Sequence, residues 1–489
     1  MPQIYFSDWF QVPAQALEEH GALDISLVAD LPVFVDPFLL FNSQNPTYQR
    51  LHGDIIRYMR FLKAVTLSGE VTPPLVDLWF SFPEVRQNWF GFTGHGNKGH
   101  GLGKGFARAL HRNFHSVFSD FGEETVTRSS HIEKLGLIRD GVGRDTISDF
   151  TTNLILPFLC KYTEGFARQH IDESMRQRVS VSKVQFNYDT RSWIPVIYEL
   201  PFLADDYVLL TPKDIITRDD AWINRGDLIA SFYEIAEALP DSTLRAQINE
   251  YLVRVLPHDP KRSEKETKEI LTSAVDLFPQ VLDFYIRDKE EHGDDAVAES
   301  RERVHYVQTQ LIEQLNVFAK TYLLPAGFYA LRGDTYDEAK QRLLFLKDVV
   351  ENKGGHRLFY VDGKPLEREA DLQVLYRLTW FATEAPVSRE VNDGRGPADF
   401  KVSYGASDKT VVELKLAKNK SLERNLVKQT GVYEKASDAT HPSLKGILYF
   451  SESEAIRVAT ILKRLKLEDS PHIVLIDARA DNKPSGSRA

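Results

Sequence analysis

Hydrophobic and polar positions change period several times along the 489-residue chain, and each change predicts a different kind of element. Over Thr410 to Ala417 the alternation is strict: Val412, Leu414 and Leu416 fall on one face of a strand, and Val411, Glu413 and Lys415 on the other. Asp399 to Tyr404 alternates too, with Phe400, Val402 and Tyr404 on the apolar side and Asp399 and Lys401 opposite. Gly405 to Lys409 has turn chemistry, so the two runs read as a hairpin. Folded about Ser407, that hairpin sets Asp399 opposite Lys415 and diagonal to Glu413, roughly 5 to 8 Å apart on one face. Helical spacing covers Leu366 to Phe381 and, behind a Ser421 cap, Ser421 to Ala436. Gly446 to Phe450 and His472 to Asp477 read as strands on either side of a helix from Glu452 to Leu465. This order is that of a mixed sheet sandwiched by helices.

Upstream, from Gly226 to Val350, the period is helical. Leu228, Phe232, Ile235 and Leu239 make one stripe, and Leu244, Ile248, Tyr251, Leu252 and Val255 the next. The charged run Asp288 to Asp295 predicts a loop between long helices. The expected organisation is α/β overall: an α+β domain over 1–225, a helical connector or oligomerisation region over 226–353, an α/β domain over 354–480, and a disordered polar tail over 481–489. Trp193 to Tyr198 and Tyr207 to Thr211 read as core strands of the first domain.

Composition narrows the class. With 42% hydrophobic residues the chain can bury sizeable cores, and one cysteine, Cys160, rules out an internal disulfide framework and fits a reducing cytoplasm. No apolar run is long enough to predict a membrane span. The net charge of −10 argues against a nucleic-acid partner until it is resolved by region. Residues 366–489 carry 20 Lys and Arg against 18 Asp and Glu, leaving −12 for residues 1–365. Within Glu413 to Lys435 the count is 6 basic to 3 acidic, so positive charge gathers beside the hairpin. The acidic remainder would repel casual nucleic acid or present a surface to a protein partner.

Two carboxylates near a strand end suit magnesium, a hard cation that leaves positions for water and phosphate. Asp399 and Glu413 are the candidate metal ligands. Lys415 would orient the attacking water or neutralise charge on phosphoryl oxygens. On the following helix Asn425, Gln429 and Tyr433 recur every four residues and share a polar face suited to water or phosphate. Glu369 is the candidate accessory acid, in competition with Glu367 and Asp371. Lys418, Lys420, Lys428 and Arg395, with Asn425 and Tyr433, are the candidate nucleic-acid contacts. A surface hairpin with an Asp, Glu and Lys salt-bridge cluster is the alternative without chemistry.

Pro397-Ala-Asp399 followed by Glu413-Leu-Lys415, with the acid in the second strand and Glu-x-Lys in the third, resembles the PD-(D/E)xK nuclease superfamily. The likeness covers residues 355–480 and departs by one residue inserted between the proline and the aspartate. It implies a restriction-endonuclease-like α/β/α sandwich. It also implies Asp399 and Glu413 as metal ligands, Lys415 as the catalytic lysine, Gln429 as a water or phosphate ligand, and Glu369 as an extra acid. The implied activity is a magnesium-dependent phosphodiesterase, an endonuclease that also accepts manganese and prefers DNA to RNA. Antiviral defence or repair is the usual employment of such folds. A homodimer would pair two sites for both strands. The competing readings are a non-cleaving nucleic-acid-binding or scaffold module and an RNA-cleaving effector.

Elsewhere, Gly94 to Gly105 invites a phosphate-loop reading but has Lys98 and Gly105 where that motif needs glycine and a hydroxyl residue. His95, His100, His111 and His115 crowd together without the glutamate of a zinc-protease pattern. A zinc hydrolase in the first domain is therefore a third, weaker option. Ser148 or Asp149 is the expected cap of a helix beginning near Phe150.

Overall fold

The computed structural model describes residues 4–28, 30–91, 107, 111, 121–138, 143–204, 206–255, 264–323, 325, 334–378, 387–389, 400–404, 408–426 and 441–483. Helix α1 (Pro46–Ser68) starts behind an Asn45 cap with proline at its first position and ends where Gly69 turns left-handed. Its buried stripe, Tyr48, His52, Ile55, Met59 and Leu62, has the three- and four-residue spacing of a helix with one face inward. Behind α1 lie α2 (Arg144–Leu154), beside the short strand β1 (Phe34–Val35), and α3 (Leu156–His170). Helix α2 starts earlier than expected, at Arg144, and Ser148 is no cap: its hydroxyl accepts from the Val35 amide at 3.0 Å.

On α3 rests a long antiparallel hairpin of β2 (Arg176–Asn187) and β3 (Ser192–Leu203), with β4 (Asp206–Tyr207) at its edge, while β5 (Ile216–Thr217) pairs with β1. Trp193 to Tyr198 is a strand, though not a core strand, because Ile194 and Ile197 are exposed. Conversely, Val208 to Leu210 are buried yet lie outside any strand. Cys160 is wholly buried, and burial followed by the nearby Glu164 pushes its thiol up to about 12, as suits a structural cysteine.

The charged run at 288–295 is helix rather than loop. Helices α4 (Gln280–Glu291) and α5 (Gly293–Val307) are separated only by His292. Glu290 explains why: it is buried, and its carboxylate accepts from the amides of Arg128 at 2.7 Å and Ser129 at 3.0 Å and from His131 Nε2 at 2.9 Å. Burial would raise this carboxyl, but the donors outweigh it and hold it below the ordinary range.

Beyond α5 the chain winds as a π-helical turn, Gln308–Gln314. The Tyr5 hydroxyl donates to the Leu311 carbonyl and the Gln310 amide to the Leu358 carbonyl, tying this turn both to the N-terminus and to the region ahead of the last domain. One apolar core runs through it, from Tyr5 and Phe6 by way of Leu311 and Leu315 to Leu343, Leu414 and Ile476.

Helix α6 (Thr335–Asn352) falls within the stretch expected to be a connector, 226–353, yet it packs on the last sheet. After β6 (Tyr360–Val361), β7 (Lys364–Pro365) and α7 (Glu369–Leu378) come β8 (Val387–Arg389), β9 (Phe400–Tyr404), β10 (Asp408–Leu416), β11 (Leu444–Tyr449), α8 (Glu452–Leu465) and β12 (Ile473–Asp477). The sheet order is β12-β11-β10-β9-β8. Strands β10, β11 and β12 run parallel, and β9 is antiparallel to both β10 and β8. Helix α6 covers the face carrying Val412, Leu414 and Leu416, while Val458, Ile461 and Leu462 of α8 share a separate core with Ala417 and Ile447. Both faces are covered, as parallel strands require. At Gly446, opposite Leu414, a Cβ would lie 2.6 Å from Leu414 Cδ2 and 3.3 Å from Leu343 Cδ2, so any larger residue there must displace leucine side chains packed under α6.

Candidate active site

Strand β10 sits in the middle of the sheet, and every residue from Thr410 to Ala417 is buried. The strict alternation therefore does not separate a solvated face from a core face. Glu413 is 1% exposed and Lys415 6%, so the alternative of a surface salt-bridge cluster does not describe these two residues. Ionisable groups this buried need partners, and building them into a central strand is costly unless they are paired.

The hairpin register differs from expectation. The described ladder runs from Asp408↔Tyr404 to Val412↔Phe400, displaced by two residues from the one a turn about Ser407 gives. A two-residue displacement keeps every side chain on its face. It is not the register that sets position 399 opposite Lys415. Asp399 itself lies outside the described residues, as do Arg395, Lys428, Gln429 and Tyr433.

Glu369, the first residue of α7, is the acid that reaches β10. Its Oε1 accepts from the Leu416 amide at 3.0 Å and from Asn419 Nδ2 at 2.8 Å, and its Oε2 lies 3.9 Å from Lys415 Nζ. Leu416 is past the last described pair of the β9 ladder, and the carboxylate satisfies its N–H there. The two competing acids are elsewhere: Glu367 is exposed, and Asp371 is buried in an ion pair with Arg218.

The loop after β10 is braced. Arg457 of α8 donates to the carbonyls of Ala417 and Asn419, each at 2.8 Å, while Asn419 Oδ1 accepts from the Ser421 amide at 2.8 Å. Lys418 and Lys420 are exposed on this loop, with Arg424 exposed just beyond. The helix that follows is described over 422–426; Asn425 is half-buried and its amide donates to the Ser421 carbonyl at 2.9 Å.

Two neighbours escaped the sequence reading. Parallel pairing sets Lys445 beside Glu413; Lys445 is buried and donates to Ser443 Oγ at 2.8 Å. A lysine heading an apolar strand was the available signal, but only the register shows which residue it joins. Arg457 gave no signal, since it is one of several basic residues on an amphipathic helix. At the opposite end of β10, Asp408 accepts from the Thr335 hydroxyl at 2.5 Å and from His441 Nε2 at 3.0 Å. Its partial burial works the other way, yet these donors hold its carboxyl below the usual range.

Among the described residues no group of three or more His, Cys, Asp and Glu side chains is arranged to hold a metal ion. Of the four clustered histidines, His111 lies with its ring 5.1 Å from that of Phe80 and the others fall outside the described residues. No helix among the described residues is long and apolar enough to cross a membrane.

Residues 11–224 match the model of a domain of unknown function (DUF8370), and residues 335–452 match that of a second domain of unknown function (DUF8371). The second match begins at the first residue of α6 and takes in α7 and β8 to β11. No curated protein and no solved structure matches the chain.

Proposed function

We propose that the C-terminal region is a metal-dependent phosphodiesterase that cuts nucleic acid, DNA in preference to RNA. One observation carries the reading. Glu413 and Lys415 are buried two residues apart on a central strand, and a helix outside that strand delivers a further carboxylate, Glu369, to within 3.9 Å of the lysine. Ionisable groups gathered and buried in this way are candidates for a functional site.

Two carboxylates would suit magnesium: Glu413 and Asp399 would be the protein oxygens, with the remaining positions left for water and phosphate. The ion would supply charge neutralisation on a non-bridging phosphate oxygen. Lys415 would hold the attacking water in line and stabilise charge on the phosphoryl oxygens, with Glu369 keeping the ammonium in place. Lys418 and Lys420 would meet the backbone phosphates at the rim. Gln429 and Tyr433 would add further polar contacts.

A second reading is favoured by Lys445. Two acids, Glu413 and Glu369, stand near two lysines, Lys445 and Lys415, which is charge balance without a metal. That arrangement suits a binding module that keeps the fold and does not cleave. The deciding experiment incubates the purified full chain with plasmid, single-stranded, branched and RNA substrates in magnesium or manganese. The nuclease reading expects chelator-sensitive cleavage that Lys415→Ala and Asp399→Ala abolish. Binding without cleavage under every divalent metal supports the module instead.

A further inference from the structure

Two residues along a helix point about 200° apart, so Glu369 and Asp371 leave α7 on opposite sides. Glu369 meets the end of β10. Asp371, 2% exposed, meets Arg218, which follows β5 in the region matching the first domain of unknown function. The pair is tightly built. Arg218 stacks over the Tyr306 ring with 4.5 Å to its centroid, and the Tyr306 hydroxyl donates to Asp371 Oδ2 at 3.4 Å. The Arg218 carbonyl accepts from Arg303 at 3.1 Å, and the adjacent Asp219 pairs with Arg368, the residue just ahead of α7. Together these groups line a cleft of about 390 Å³ between α5, the β6–β7 hairpin and the start of α7.

From this geometry we infer that Arg218 is a positioning residue for Glu369: by gripping Asp371 it fixes the first turn of α7, and so the carboxylate that α7 presents to Leu416 and Lys415. The inference rests on the nuclease reading only for its catalytic consequence; the mechanical link stands apart from it. Arg218 Nε also lies 3.6 Å from Asp219 Oδ1, so the buried guanidinium is held between its neighbour's carboxylate and that of Asp371, which defines one placement of the helix. The link gives the first region a direct route to the proposed active site, through one helical turn.

The test uses the full-length protein and reads hydrogen exchange at two amides of the same sheet. The Leu416 amide reports its bond to Glu369. The Lys445 amide, donating to the His472 carbonyl at 2.8 Å, reports the sheet itself. Arg218→Met is expected to speed exchange at Leu416 about 10-fold or more relative to Lys445, and to lower cleavage turnover with little change in substrate affinity. The double variant Arg218→Met with Asp371→Leu replaces the ion pair with an apolar contact of similar volume and is expected to restore Leu416 protection. If Leu416 is unchanged in the single variant, or speeds up only in step with Lys445, the positioning role is refuted. If no form of the protein cleaves nucleic acid while the selective shift at Leu416 appears, the nuclease reading fails and the link stands.

Discussion

Replacing Glu133 with glutamine should make the protein more stable at alkaline pH and leave it nearly unchanged below pH 5. Glu133 is 1% exposed, and among the described residues neither carboxyl oxygen has a hydrogen-bond partner within normal geometry. Burial, followed by the nearby Asp36 carboxylate, pushes it up to about 8 from an ordinary value of 4.5. The native state therefore holds a proton on Glu133 across a window in which the unfolded chain has released it. Stability is fully present below the unfolded value and falls as pH rises, until the cost is complete above the folded value. At about 1.4 kcal/mol per pKa unit, the loss across that window is roughly 3 to 6 kcal/mol. Glutamine copies the protonated acid in size and cannot ionise. Asp36 and Asp149, raised chiefly by burial to about 6 and about 8, slope the same way. His52, lowered to about 3 chiefly by burial, slopes the opposite way between its folded and ordinary values. These contributions are common to both proteins and largely cancel in the difference. Urea unfolding followed by fluorescence of the six tryptophans, at pH 5, 7 and 8.5, measures that difference. It should widen with pH in favour of Glu133→Gln. A variant that is less stable by the same amount at every pH would refute the reasoning. Such a result would mean that Glu133 is already ionised in the native state across this range.

Three further outcomes can be checked. Gly355→Ala should cost about 1 to 3 kcal/mol in thermal or urea unfolding, because a Cβ there would lie 2.7 Å from Val349 Cγ1 and 3.0 Å from the Val349 carbonyl oxygen. Arg457→Ala strips donors from two carbonyls and should cost about 1 to 3 kcal/mol; it should also speed proteolysis between Ala417 and Ser421, which limited digestion would show. Asp408→Asn should flatten the acid limb of the stability profile. The donors that lower this carboxyl give stability that is present above its unfolded pKa and lost as pH falls through the folded value, so the variant and the parent should converge in acid.

The last sheet was legible because its strands carry period-two signals and its connecting helix has clear ends. The helix read from Glu452 to Leu465 is the helix observed, and the strands read at 446–450 and 472–477 differ from β11 and β12 by one or two residues at their ends. Register was not legible, since turn composition fixes neither the turn centre nor the count of loop residues, and β9 and β10 pair two residues away from the reading. Glu369 could be picked from three acids only weakly, because helical phase depends on where the first turn begins. The Asp371 partner, Arg218, lies 153 positions away, and no local pattern joins them. Glu290 shows the same limit in reverse. Its run looked like solvated loop because charge density is a local property, while the donors that pull it inside come from residues 128–131.

The π-helical turn at Gln308–Gln314 bears on how this chain could have been assembled. Because Tyr5 and Leu358 are both fastened to that one turn and a single core passes through it, the regions on either side are not beads joined by a string. A chain cut ahead of Thr335 would expose the apolar surface that Leu343, Leu346 and Val350 share with the rest of that core. It should aggregate or fail to express, however complete the residues of its candidate site. Recombination that moved either half alone would have met the same penalty. The two domains of unknown function are therefore expected to be inherited together, in this order, with the turn between them.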